Sequence, residues 1–263
     1  MLAVFFFYPL LAIIWLSLSD PSFGFGNYTD LLTDGVTIKV LVRTIISASI
    51  VAIATLAIAY PYAYAMTKVG PGARGILLVI VLTPFWTSLI ARTFAWYLLE
   101  QQGGLIQRFF ALLGFDDVVL RGTVLGVTVA MVQVMLPFMV LPLYSSMASI
   151  DPRLLPAAAS LGAPKFTAFR TVYFPLSMPG VMSGVTLVFI VSLGFYVTPA
   201  LLGSPNQALI SQVIATRVSD LLDFAGAGAM GAILLLVTLL ILWIMNRVGR
   251  PGAMLNEVVG SGK

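Results

Sequence analysis

Apolar residues run along this chain in long, nearly unbroken stretches rather than in the alternating or one-faced patterns of a soluble domain. Crossing a hydrocarbon core as a helix takes about 20 apolar residues. Six stretches qualify: Met1–Ser19, Thr44–Met66, Ile76–Leu99, Val124–Met147, Met178–Leu202 and Ala227–Met245. Helices are the predicted form, because lipid offers no partner to an unpaired backbone group and the runs are too long for barrel strands. The pattern thus predicts an all-α membrane protein with six transmembrane helices. The first run starts at Met1 with no basic flank, so a cleaved leader and a late start codon stand as other readings of it. Pro61, Pro84, Pro137, Pro142 and Pro199 interrupt the runs. Each removes a backbone donor and favours a kink, which serves either as a hinge or as ordinary packing.

Between the fourth and fifth runs lies the longest polar connection, Ala148–Ser177. Leu154, Leu155, Ala158 and Leu161 recur in it at helical spacing. Pro156 suits the first turn of a short helix, and Gly162 suits its end, where a left-handed residue closes the last turn. Phe166, Phe169, Val172 and Tyr173 form a second short apolar face, which Pro175 and Pro179 are expected to separate from the fifth span. Two short helices lying against the membrane are predicted. An interfacial anchor is one use for them.

Composition narrows the function. Hydrophobic residues make up 60% of the chain and charged residues 9%, against about 25% charged in soluble domains. There is no Cys and no His, which removes disulfides, thiol nucleophiles, the commonest general base and the commonest metal ligand. No metal site and no catalytic residue are predicted, and an intramembrane enzyme would need a Ser/Lys or paired-Asp site for which the spans show no candidates. No G-x4-G-K-[ST] pattern occurs, so a P-loop cannot hold ATP here. No carboxylate falls inside a predicted span, with Glu100 at the edge of the third, which argues against a proton relay on this chain. The loop 68–75, the loop 148–177 and the C-terminal tail together hold eight Lys/Arg and two carboxylates; the remainder holds six and eight. The Lys/Arg excess marks the cytoplasmic side, so both termini are expected there.

The long loop resembles the EAA signature of type I ABC importer permeases, E-A-A-x3-G-x9-I-x-L-P. Ala157, Ala158, Gly162 and Pro175 match, Val172 and Phe174 stand at the Ile and Leu positions, and Pro156 replaces the Glu. Pro84–Trp96, Leu136–Asp151, Gly26–Leu32 and Phe195–Gly203 are similar to segments of the spermidine/putrescine permease subfamily. That resemblance implies the type I importer permease fold, with a first helix and outer loop over residues 1–36, a type-1 transmembrane domain over 37–247 and a cytoplasmic tail over 248–263. It implies a bacterial inner-membrane permease for a small organic cation such as a polyamine. Opines, aminoethylphosphonate and thiamine are among the other cargoes of the subfamily, and a non-transporting scaffold is the reading from another class. It further implies a second permease subunit, two ATPase subunits carrying ATP and Mg, and an extracytoplasmic binding protein. Pro156, Ala157, Ala158, Ala159, Ser160, Leu161, Gly162 and Ala163 would form the coupling helix that docks on the ATPase. The missing Glu removes one docking contact.

For the substrate path the residues offer several candidates. Glu100 and Asp20 end spans beside aromatics on the acidic side, where negative charge would concentrate a polycation. Trp96, Tyr97, Phe195 and Tyr196 can hold an ammonium by cation–π attraction or can simply form an interfacial aromatic belt. Trp86 and Ser88 lie in the same motif as Trp96. Arg92 is the one charge deep in a predicted span; it is expected to face the protein interior and pair there, and an anionic cargo would make it a ligand.

Overall fold

The computed structural model describes residues 2–20, 23–115 and 118–248. Asp116, Asp117 and the tail from 249, with Arg250, Glu257 and Lys263, lie outside the described residues. Thirteen α-helices follow one another among the described residues: α1 Leu2–Ser19, α2 Gly26–Thr33, α3 Gly35–Lys68, α4 Pro71–Trp86, α5 Leu89–Glu100, α6 Leu105–Leu112, α7 Val124–Ala148, α8 Leu154–Ser160, α9 Lys165–Ala168, α10 Phe174–Leu193, α11 Val197–Leu202, α12 Ile210–Ser219 and α13 Phe224–Val248. Four helical stretches are long and apolar enough to cross a membrane: α3, α7, α13 and the continuous run Lys165–Leu193. The bent pair of α4 with Leu89–Leu112 makes a fifth, and Phe7–Ser19 is apolar but shorter.

The fourth and sixth predicted runs agree with α7 and α13 to within a few residues. Three others do not. The second run extends outward to Gly35, because Asp34 caps α3: its carboxylate accepts from the Val36 and Thr37 N–H groups at 3.1 Å each and from the Thr37 hydroxyl at 2.8 Å. The boundary drawn at residue 36 therefore falls inside a helix. The third run is not one helix. It breaks at Thr87–Ser88 with a 96° bend, since Pro84 lacks an N–H and Ser88 starts a new helix by accepting from the Ala91 N–H at 3.4 Å. The fifth run breaks at residues 194–196. Pro199 sits there in the first turn of α11, a place it favours.

The expected separation before the fifth span is also absent. Helix runs from α9 into α10 through a π turn, Phe169–Tyr173, closed by the Phe174 N–H on the Phe169 carbonyl. A wide turn at this point leaves room for the Pro175 ring, which would clash with a carbonyl in a regular helix.

The chain forms two compact units. The first comprises Met1–Val51, Thr87–Met131 and Ile190–Thr238. Its core gathers Leu31, Val40, Ile210, Ala229, Met230 and Ile233, from α2, α3, α12 and α13. The Thr44 hydroxyl ties α3 to α12 by accepting from the Ile210 N–H at 2.9 Å, satisfying an orphan donor of the α12 N-terminus. Asp223 starts α13 by accepting from the Gly226 N–H at 2.8 Å and pairs with Arg217 at 2.6 Å.

The second unit comprises Ala52–Trp86, Val132–Phe189 and the described part of Leu239–Lys263. Met66, Met135, Met139, Leu143 and Met147 are fully buried in it. Lipid is as apolar as these side chains, so close packing rather than water release holds such helices together. Gly180 and Gly184, four apart on α10, let that helix press on α7: a Cβ on Gly184 would stand 2.7 Å from the Met139 sulfur and one on Gly180 2.5 Å from the Ser146 Cβ. Tyr60 and Tyr64 of α3 pack against Phe169 and Tyr173 of the π turn, with ring centroids 5.1–6.2 Å apart. Phe166, expected on the same face, is instead 75% exposed.

Candidate functional site

The segment 156–163 is built as its residues predict. Pro156 falls in the first turn of α8, and Gly162 takes φ +85°. The Gly162 N–H donates to the Ala159 carbonyl at 3.0 Å and the Ala163 N–H to the Ala158 carbonyl at 3.1 Å. This is a Schellman closure, which satisfies two terminal carbonyls and needs a left-handed residue at Gly162. A Cβ on Gly162 would meet nothing within 4 Å, so the backbone angle alone demands glycine. Pro156, Ala157, Ala159, Ser160 and Leu161 are exposed, with Leu161 90% so, while Ala158 and Ala163 are half-buried. A seven-residue helix with a bare leucine at its end is a small apolar knob.

The candidate path residues cluster around the two breaks. Non-helical backbone at membrane depth survives only where it is buried in protein or lines a water-filled passage. At the first break Thr87 and Ser88 are exposed, and at the second Gly194 and Tyr196 are. Within the first unit α5 and α11 pack on each other. Buried Thr93 and Thr198 join them at 3.3 Å. The Thr93 hydroxyl already donates to the Leu89 carbonyl at 2.9 Å, so Thr198 is the donor of the pair. Nothing in the composition of these runs marked this pair beyond two threonines in apolar surroundings.

Arg92 is half-buried, and its Nη1 donates to the Thr87 hydroxyl at 3.1 Å, across the break itself. The guanidinium thus holds the broken turn. Trp96 and Phe195 are half-buried; Trp86, in the second unit, is 70% exposed.

Tyr97 and Glu100 are not open to a cation in this conformation. The Arg121 guanidinium lies 4.6 Å from the Tyr97 ring centroid, and Phe94 stacks beside that ring at 5.9 Å. Glu100 is 1% exposed, and neither carboxyl oxygen has a hydrogen-bond partner among the described residues. It fills the space over Gly126, where a Cβ would collide with Glu100 Oε2 and with the Leu120 carbonyl. The surface-edge carboxylate expected from the sequence is an enclosed one. Asp20, the other candidate, is exposed.

Broken apolar helices, of which α5 and α11 pack together, with several further apolar helices long enough to cross a bilayer, define a helical membrane protein. Residues 2–251 match the family described as binding-protein-dependent transport system inner membrane component, and the chain belongs to that family. It is 34% identical over 259 residues to the spermidine/putrescine transport system permease protein PotB of Escherichia coli (strain K12), covering 95% of this chain and 94% of that one. It is 35% identical over 156 residues to the sulfate transport system permease protein CysT of a Synechocystis strain, covering 59% of this chain and 54% of that one. Its fold is similar to a chain of the bacterial alginate ABC transporter solved in complex with an alginate pentasaccharide-bound periplasmic protein, with a TM-score of 0.73, 17% identity, and 94% and 89% coverage. The chain is a type I ABC permease of the inner membrane.

Proposed function

We propose that this chain is the permease subunit of an ATP-driven importer for a spermidine/putrescine-type polyamine. The observation that carries the reading is the 34% identity to PotB over nearly the whole of both chains. In this reading α1 is the sixth span, both termini are cytoplasmic, and a paralogous permease subunit covers the exposed breaks at 87–88 and 194–196. Two ATPase subunits bind and hydrolyse ATP with Mg. An extracytoplasmic binding protein delivers the cargo, as a periplasmic protein is bound to the alginate transporter. The α8 segment Pro156–Ala163 docks on the ATPase. Its exposed Leu161 and rigid Gly162 closure support that role, because a rigid end passes on displacement where a frayed one absorbs it. Ser88, Arg92, Trp96, Phe195 and Tyr196 flank the breaks and form the passage within the first unit, and Trp86 is the last residue of α4 in the second. Tyr97 and Glu100 join it only in a conformation that frees them from Arg121 and Gly126.

A second reading, an oxyanion cargo, is favoured by Arg92 at the break and by the likeness to CysT. Reconstituting the permease pair with its ATPase and binding protein in vesicles separates the two. ATP-dependent uptake of labelled putrescine or spermidine is the expected result. Uptake of sulfate or aminoethylphosphonate with no polyamine uptake would replace the first reading by the second.

A further inference from the structure

In the second unit, a cavity of about 170 Å³ opens among the end of α3, the start of α4, the end of α7 and the entry to α8. Lys68, Arg74, Tyr144, Asp151, Leu155 and Tyr173 are among its walls. Two cations therefore face one carboxylate. The Lys68 ammonium rests 5.2 Å from the Tyr64 ring and 5.8 Å from the Tyr173 ring. Arg74 donates Nε to the Met66 carbonyl at 3.2 Å and Nη2 to the Val69 carbonyl at 3.3 Å, and lies 5.9 Å from the Tyr144 ring. Neither cation reaches a carboxylate among the described residues, where the ion pair present joins Arg217 to Asp223. Asp151 is already engaged: its Oδ1 accepts from the Arg153 N–H at 2.8 Å as the chain turns into α8. Tyr173 is 4% exposed, and its hydroxyl sits beside Thr67 without a hydrogen bond of ordinary geometry. A buried donor left unmade costs about 1–3 kcal/mol.

We propose that this cavity binds the phosphate of an anionic lipid headgroup. Lys68 supplies the charge, Arg74 adds to it, and the Tyr173 hydroxyl supplies a neutral donor. Basic pockets between spanning helices on the cytoplasmic side suit such headgroups. A lipid is favoured over free phosphate because the cavity lies at the ends of two membrane-crossing helices, at Lys68 of α3 and Ala148 of α7, the depth at which headgroups gather. The placement at the cytoplasmic leaflet rests on the orientation proposed above. Asp151, Pro152 and Leu155 share the cavity, so an occupant touches the entry to α8, and lipid identity bears on how that helix is held.

The test uses the whole importer with its partner subunits, wild type and with Lys68→Arg, Lys68→Gln or Tyr173→Phe. Native mass spectrometry reads the retention of added phosphatidylglycerol and phosphatidylcholine, with and without millimolar inorganic phosphate. Lys68→Gln lowers phosphatidylglycerol retention about fivefold, the weight of one lysine at an anionic surface. Tyr173→Phe lowers it about threefold. Lys68→Arg keeps it, and phosphatidylcholine and inorganic phosphate have no effect. Equal retention in wild type and both weakened variants overturns the site. Displacement of the lipid by inorganic phosphate assigns the cavity to the free anion and overturns the lipid. Unchanged lipid retention with loss of the ATPase from Lys68→Gln gives the cavity to an acidic side chain of that partner and overturns it equally. Polyamine uptake by the wild type is scored separately, so failure of the transport reading and failure of this one do not coincide.

Discussion

The Leu154–Ser160 helix and the Leu89–Glu100 helix place their chemistry in opposite ways. The first leaves apolar side chains in the open, with Leu161 90% exposed, and ends in a closure made by its own turn bonds. The second encloses its single carboxylate, packs against α11, and stacks its aromatics on its own neighbours. An exposed leucine beside a rigid closure asks for a surface to press against. An enclosed Glu100 above Gly126 leaves no space for a ligand until something moves. Fittings of the first kind transmit force without rearranging internally; those of the second kind change environment when the protein changes conformation. Under the function proposed above, the difference divides the labour between a passive contact and a moving passage.

The sharpest way to break this contrast is to put a permanent charge in the enclosed position. Glu100→Lys leaves an unpaired buried ion, which costs about 3–5 kcal/mol and is a large part of the about 5–15 kcal/mol that holds a domain folded. The expected outcome is loss of monodisperse protein on size-exclusion chromatography. Glu100→Gln keeps the shape and cannot ionise, and its thermal midpoint is expected within a few degrees of wild type, corresponding to about 1 kcal/mol. If Lys is tolerated as well as Gln, Glu100 is not enclosed in the assembled importer, and the contrast with α8 falls.

The open position breaks differently. Gly162→Val forces a β-branched residue into the left-handed region, at about 1–2 kcal/mol or an unwound last turn. Nothing else packs there, so the thermal midpoint should fall by no more than a few degrees. Coupling should suffer more: cargo-stimulated ATP hydrolysis in proteoliposomes is expected to fall about tenfold, the equivalent of about 1.4 kcal/mol. Full coupling with a valine at 162 would remove the closure from the transmission path.

The α8 region was legible in the chain because its signals are local. Pro156 in a first turn and Gly162 at a helix end are each settled within a few residues, and the EAA-like spacing around them required no tertiary knowledge. The Ile76–Leu99 run was not legible. A window of apolar residues averages over Thr87 and Ser88, and only the cap on Ala91 reveals that two helices meet there. Glu100 ends its helix as expected, but its enclosure was not legible because it depends on Gly126 and Leu120, brought back by the turn after α6. The same return brings Arg121 onto Tyr97, where a free aromatic face was expected. Likewise Pro175 signals a stop until the π turn before it is known.

A milder contrast sets Glu100 against Asp34, a fully exposed carboxylate whose acceptor sites are filled. The Thr37 hydroxyl, then the N–H groups of Val36 and Thr37, hold the Asp34 carboxyl below its ordinary value of 3.8. A carboxyl lowered in the folded state stabilises it above the unfolded value and loses that contribution as pH falls through the folded one. Asp34→Ala should therefore lower the thermal midpoint slightly at pH 7, and the gap to wild type should narrow as the pH drops below about 4. Salt should shrink it little, because short hydrogen bonds rather than distant charges set it. A gap that stays constant down to acid pH would mean that Asp34 acts through shape alone and that α3 owes its outward extension to packing on α12 and α13 instead of to its cap.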